Sequence, residues 1–143
     1  DRTFFITGVQ LEVGQNPTEF EHINNFGEEL LKCQRYFYTE VDPDGVMFSL
    51  LGFADGSGSA YIQHIHSPEM RADPTLSTTG VVTDYALRIG GDTITCNTVP
   101  TLSSSTTKFA HVLWRVASGL TTGQAMIGKH TGAGDFLHWD AEL

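Results

Sequence analysis

The apolar positions of this chain recur with two periods. Most stretches alternate apolar with polar residues, the two-residue repeat of a half-buried strand. From Phe109 to Val116, Ala110, Val112, Trp114 and Val116 fall on one side, with Phe109, His111, Leu113 and Arg115 on the other. Near the end, Leu137, Trp139, Ala141 and Leu143 share a face opposite Phe136, His138, Asp140 and Glu142. Both tryptophans therefore belong to a core, where a large ring contributes most by burial, rather than to a sugar-stacking surface. Tyr85, Leu87 and Ile89 share a face in the same way. Further strands are expected over Thr3 to Val13 and over 36–41, 46–53, 60–65, 76–82 and 93–99.

One stretch has the helical period. Asn25 and Glu28 have the spacing of a capping box, and Phe26, Leu30, Cys33 and Phe37 recur at intervals of four, three and four. Glu28 and Glu29 near the start, with Lys32 and Arg35 near the end, suit the helix dipole. The apolar stripe predicts a lid laid across a sheet.

Turn chemistry punctuates the rest. Pro43-Asp44-Gly45 predicts a hairpin between its flanking strands, and Gly90-Gly91-Asp92 a second turn. Residues 54–59 read as a flexible Gly/Ser loop and 100–105 as a polar loop, while the two prolines within 67–74 mark a connection or an edge. Short strands with frequent turn signals and one early helix predict a mainly β fold: an antiparallel β-sandwich, jelly-roll-like, with one short N-terminal α-helix.

Composition narrows the function classes. With 143 residues and 40% hydrophobic content, one full-size domain fits. Residues 1–24 are expected to be the terminal strand and linker of an upstream domain, and 25–143 a C-terminal sandwich. The net charge of −9, with only eight scattered Lys and Arg, excludes a nucleic-acid backbone as partner. No apolar run reaches the roughly 18 residues of a membrane-spanning helix, so no membrane insertion is expected. Cys33 and Cys96 are expected to be two buried thiols, as in a reducing cell, rather than a disulfide.

Candidate chemistry is sparse. Glu69 with Asp73 and Asp140 with Glu142 are carboxylate pairs of the kind glycoside cleavage uses, but charges at period two on a strand are more simply a solvated edge. Gly56-Ser57-Gly58-Ser59 lacks the second glycine of a nucleophile elbow, and Gly132-Ala133-Gly134 the third of a dinucleotide fingerprint. No catalytic residue and no cofactor are expected. Asp42 to Gly45 opens like a calcium loop without its remaining ligands. His64 and His66 share one side of a strand and are the metal-ligand candidates, but two polar positions alternating with Ile65 are equally the pattern of a surface strand, no other ligand cluster is visible, and no metal is expected.

Several strings occur in fixed order along the chain: Phe5-Ile6-Thr7-Gly8-Val9-Gln10-Leu11-Glu12-Val13-Gly14, Glu19-Phe20-Glu21-His22, Gly27-Glu28-Glu29-Leu30, Cys33-Gln34-Arg35-Tyr36-Phe37, Met70 to Thr75, Ala117 to Gly123, and Ala141-Glu142-Leu143. Together they resemble the C-terminal region of bacteriophage tail-fibre and virion-fibre proteins of the marine and cyanophage type, with departures at 23–26 and 66–68. The resemblance implies that the first string closes a carbohydrate-binding-module-like jelly roll. It further implies a homotrimer in the virion, assembled in the host cytoplasm, contacting other virion proteins and a host-surface glycan or protein receptor. Loops 54–59, 100–106 and 131–135 are then the expected contact tips, with Tyr61, Phe136 and Asp135 as ligand-binding candidates. A capsid-attached decoration or tail-assembly protein, and a glycan depolymerase, are the alternatives.

Overall fold

The computed structural model describes residues 16, 25–41, 47–130 and 136–142, apart from the side chains of 41, 47–50 and 136. Helix α1 (Phe26–Gln34) leads into strands β1 (Phe37–Val41), β2 (Met47–Ala54), β3 (Ser59–Ile65) and β4 (Thr75–Thr78). A 3-10 turn at Val82–Asp84 precedes β5 (Tyr85–Ile89), β6 (Asp92–Thr95), β7 (Thr101–Ser105), β8 (Phe109–Arg115), β9 (Ala125–His130) and β10 (Phe136–Asp140). The strands form two antiparallel sheets packed as a sandwich, one of three strands in the order β1-β10-β4 and one of seven in the order β6-β5-β9-β2-β3-β8-β7. No helix among the described residues is long and apolar enough to cross a membrane.

The alternating patterns become the interior. Leu137, Trp139 and Ala141 of the small sheet meet Ala60, Ile62, Val112 and Trp114 of the large one, all buried. Trp114 lies edge-on to Tyr85, with ring centroids 5.8 Å apart, and rests on Gly128, where a Cβ would come within 3.0 Å of its ring. The β5–β6 hairpin turns on Gly90 and Gly91 at φ of 58° and 120°, the primed geometry that matches strand twist and that glycine takes without strain.

Four expectations are corrected. Pro43 to Gly45 lie outside the described residues, and the strands expected to pair across them do not: β1 pairs with β10, placing Tyr38 opposite Trp139, while β2 pairs with β3 and β9 in the other sheet. Turn residues reverse a chain locally, but the pairing followed the inward Tyr38 of β1. Residues 101–105 are not a loop but the edge strand β7, paired with β8, where hydroxyl side chains suit a half-exposed ladder. Residues 54–59 form a fastened turn, since the Val116 amide donates to the Gly58 carbonyl and the Leu120 amide to that of Ser57. Helix α1 is not a lid. Asn25 caps it, its Oδ1 accepting from the Gly27 amide at 3.1 Å and its Nδ2 donating to Glu28, yet no residue of the helix is buried. Cys33 is accordingly exposed, and only Cys96 is a buried thiol. Burial pushes the Cys96 pKa up to about 12.

The sequence reading did not anticipate β9. The expected strand over 3–13 lies outside the described residues.

Candidate functional site

Among the described residues, polar side chains gather between the sheets and on the outer face of the large sheet. Between the sheets, β1 supplies Tyr38 and Glu40, β3 and its end supply His64 and His66, and β10 supplies Trp139. His64 Nδ1 donates to the Glu40 carboxylate at 3.1 Å, and Trp139 Nε1 donates to the same group at 3.3 Å. Two donors on one partly exposed carboxylate fix its position and the imidazole tautomer. Tyr38 Oη lies 2.7 Å from His66 Nδ1. The indole of Trp139 stands 5.2 Å from the His64 ring and 4.9 Å from that of His66.

Burial holds the His66 pKa below its ordinary 6.5, reinforced by His64 and opposed by Glu40. It raises that of the Tyr38 hydroxyl, with the Glu40 charge acting in the same direction. Both histidines are buried in the interior of the chain, His64 against Glu40 and His66 against Tyr38. Among the described residues, no group of three or more His, Cys, Asp or Glu is placed to hold a metal ion. The cluster orients side chains and ties the two layers together.

On the outer face of the large sheet the register sets Ala125, Phe53, Tyr61, Leu113 and Thr101 in one row across five strands. Phe53 and Tyr61, directly opposite each other, have ring centroids 6.3 Å apart. With Ser103 and His111 they line an open depression of about 290 Å³, near the lower end of small-ligand sites. His111 is held by Ser104 Oγ, 3.3 Å from its Nδ1, and by the Phe109 ring. Phe53 is 54% exposed and Leu51 is 72% exposed. This surface offers ring faces for apolar contact and hydroxyl and imidazole groups for hydrogen bonds.

No family model, curated protein or solved structure matches the chain.

The candidates named from sequence separate in space. Tyr61 lies in the depression. Phe136 opens β10 opposite Val41, while Asp135 and residues 131–134 lie outside the described residues. Of the carboxylate pairs, Glu69 accepts from the Thr107 hydroxyl at 2.6 Å and Asp140 from the Glu142 amide at 2.8 Å. Phe53 and His111 were not anticipated as site residues, whereas Ser103 falls within the expected contact segment 100–106. The available signal was that 46–53 is apolar at nearly every position, and 109–116 carries large side chains on both faces. That pattern marks strands meant to be covered on two sides.

Proposed function

We propose that this chain is the receptor-binding terminal domain of a homotrimeric phage virion fibre, acting without catalysis, and that it holds host-surface glycan in the Phe53–Tyr61–Ser103–His111 depression. The observation that carries the reading is that depression: exposed aromatic rings beside hydroxyl donors on a rigid sheet, the pairing that a sugar's apolar face and hydroxyl edge require. The ordered resemblance to fibre C-terminal regions supports the same assignment. Adhesion makes no bond, and several copies acting together multiply a weak single-site affinity.

The test is binding of the purified chain to a panel of bacterial surface polysaccharides and to intact cells, with Tyr61→Ala and Phe53→Ala alongside. Each substitution is expected to weaken binding about fivefold, since stacking on an aromatic ring is worth on the order of 1 kcal/mol. Binding to no glycan and no cell would replace this reading with that of a capsid or tail-assembly protein whose contacts are all within the virion. Release of reducing sugar would replace it with a depolymerase.

A further inference from the structure

The outer face of the large sheet has depressions on both sides of strand β2. One is the Phe53–Tyr61–Ser103–His111 depression described above. The other, of about 280 Å³, is lined by Leu51, Arg88, Gly90, Ala125 and Ile127 among others. Strand register accounts for it: Arg88, Ile127 and Leu51 stand in line on β5, β9 and β2, while Ala125, opposite Phe53, is too small to fill the space beside them. Leu51 and Phe53 are two residues apart on β2, roughly 7 Å of strand, so the two depressions adjoin.

Their charge is opposite to that of the whole chain. Of 17 Asp and Glu in a chain of net charge −9, none lies in β2, β3, β5, β7, β8 or β9. Asp92 of the edge strand β6 is in register with inward Ile89, Asp84 accepts from the Val81 amide at 2.7 Å, and Asp55 lies in the turn beyond β2, on the side of Arg115. Arg88 is exposed on β5, and among the described residues it makes no hydrogen bond or ion pair. Lys129 is its diagonal neighbour, two residues along β9 from Ile127, with which Arg88 pairs. At a distance beyond the Debye length of about 8 Å the net charge is largely screened, so these two cations set the sign of the field in the second depression.

We propose that the glycan held at Tyr61 is an acidic one, whose carboxylate or phosphate groups are received by Arg88, with Lys129 beside it, in the second depression. The inference rests on the glycan-binding reading above and names the class of sugar. A guanidinium presents its N–H donors in a fixed fork that matches two carboxylate or phosphate oxygens, and Leu51 and Ile127 offer contact to the apolar face of the ring that bears the acid. From β5 to β7 there are five strand spacings of about 4.8 Å, roughly 24 Å in all. The ligand is therefore an extended oligosaccharide that crosses β2, with an acid group on Arg88 and hydroxyls against Ser103 and His111. A neutral sugar gains nothing from the free guanidinium.

The test titrates the whole chain with uronate polysaccharides such as polygalacturonate, with a glycerol-phosphate teichoic acid, and with neutral counterparts: dextran and the same uronates after carboxyl reduction. The acidic polymers should bind about tenfold or more tightly than the neutral ones, a preference that shrinks as NaCl is raised. Arg88→Gln should remove about tenfold of affinity for the acidic polymers and none for the neutral ones, and Arg88→Lys, which keeps the charge without the fork, should restore part of it. Lys32→Gln, on helix α1, changes the net charge equally and should have no effect, while Tyr61→Ala should weaken binding of both kinds. Affinity lost on carboxyl reduction identifies the acid as a carboxylate, and binding to the teichoic acid without the uronates identifies it as a phosphate. Equal binding of acidic and neutral polymers, an unchanged preference in Arg88→Gln, or an equal loss in Lys32→Gln overturns the acidic class and leaves the glycan reading standing. Binding to none of these polymers and to no intact cell overturns both.

Discussion

Strand β10 and helix α1 approach each other where the Ala141 amide donates to the Tyr36 carbonyl at 2.7 Å, and their apolar faces have opposite fates. In β10 the alternating set Leu137 and Trp139, continued by Ala141, is buried against the large sheet. In α1 the stripe is as regular, yet Phe26 is 78% exposed. A repeat specifies which side chains share a face. Whether that face is covered depends on a second layer at the right distance, and β10 has one in β3 while α1 has none among the described residues. The large sheet repeats the contrast within single strands, since Trp114 of β8 is buried on one side and Phe109 is partly exposed on the other.

The sharpest way to break this contrast is Trp139→Ala. Removing the fully buried indole, with its bond to Glu40, should cost about 3–5 kcal/mol in urea unfolding, a large share of a typical domain's stability. A loss below about 1 kcal/mol would mean that the layer interface is not the main source of stability. Gly128→Ala comes next. Its Cβ would press on the Trp114 ring at 3.0 Å, and overpacking of that kind costs about 1–3 kcal/mol. An unchanged melting temperature would show that the tryptophan has room to move.

Acid should loosen the same interior more gradually. His66 has its folded-state pKa depressed by burial, so the unfolded chain binds its proton first. The stabilisation from keeping it neutral is complete above pH about 6.5 and is lost as pH falls below that value toward the folded-state pKa. The slope is at most about 1.4 kcal/mol per pH unit for this one proton. The groups facing His66 are Tyr38, Glu40, His64 and Trp139. Comparing unfolding at pH 7.5 and 5.5 in the wild type and in His66→Phe, which should flatten part of the slope, checks the sign. The smallest effect belongs to the helix. Leu30→Ser should change the stability of the unassembled chain by no more than about 0.5 kcal/mol, and a loss like that of Trp139→Ala would show α1 to be part of this chain's own core.

The strands with strict alternation, β8 and β10, were legible because a core on one side imposes the repeat directly. Helix α1 was legible through Asn25, which caps it, though its side chain accepts from the Gly27 amide and meets the Glu28 side chain instead of forming the reciprocal bonds of a capping box. Strand β9 was not. Its inward residues are Met126, Gly128 and His130, the last two small or polar, and Gly128 stands there because the Trp114 ring takes the space. Strand β7 presents hydroxyls because it lies at an edge. In the candidate site, Tyr61 could be named from sequence, but Phe53, Ser103 and His111 come from three other strands that only the fold brings beside it.

The sequence by itself determined which side chains share a face, that strands predominate, and where the helix begins, because each depends on residues a few positions apart. The tertiary structure decided that β1 joins β10 rather than β2, that His64 and His66 share Trp139 and Glu40 inside the chain, and that Leu51 and Phe53 stay exposed on the outer face of the large sheet. Those outcomes depend on contacts between residues up to about a hundred positions apart. Such pairings are chosen by the fit of whole layers, to which a local repeat is blind.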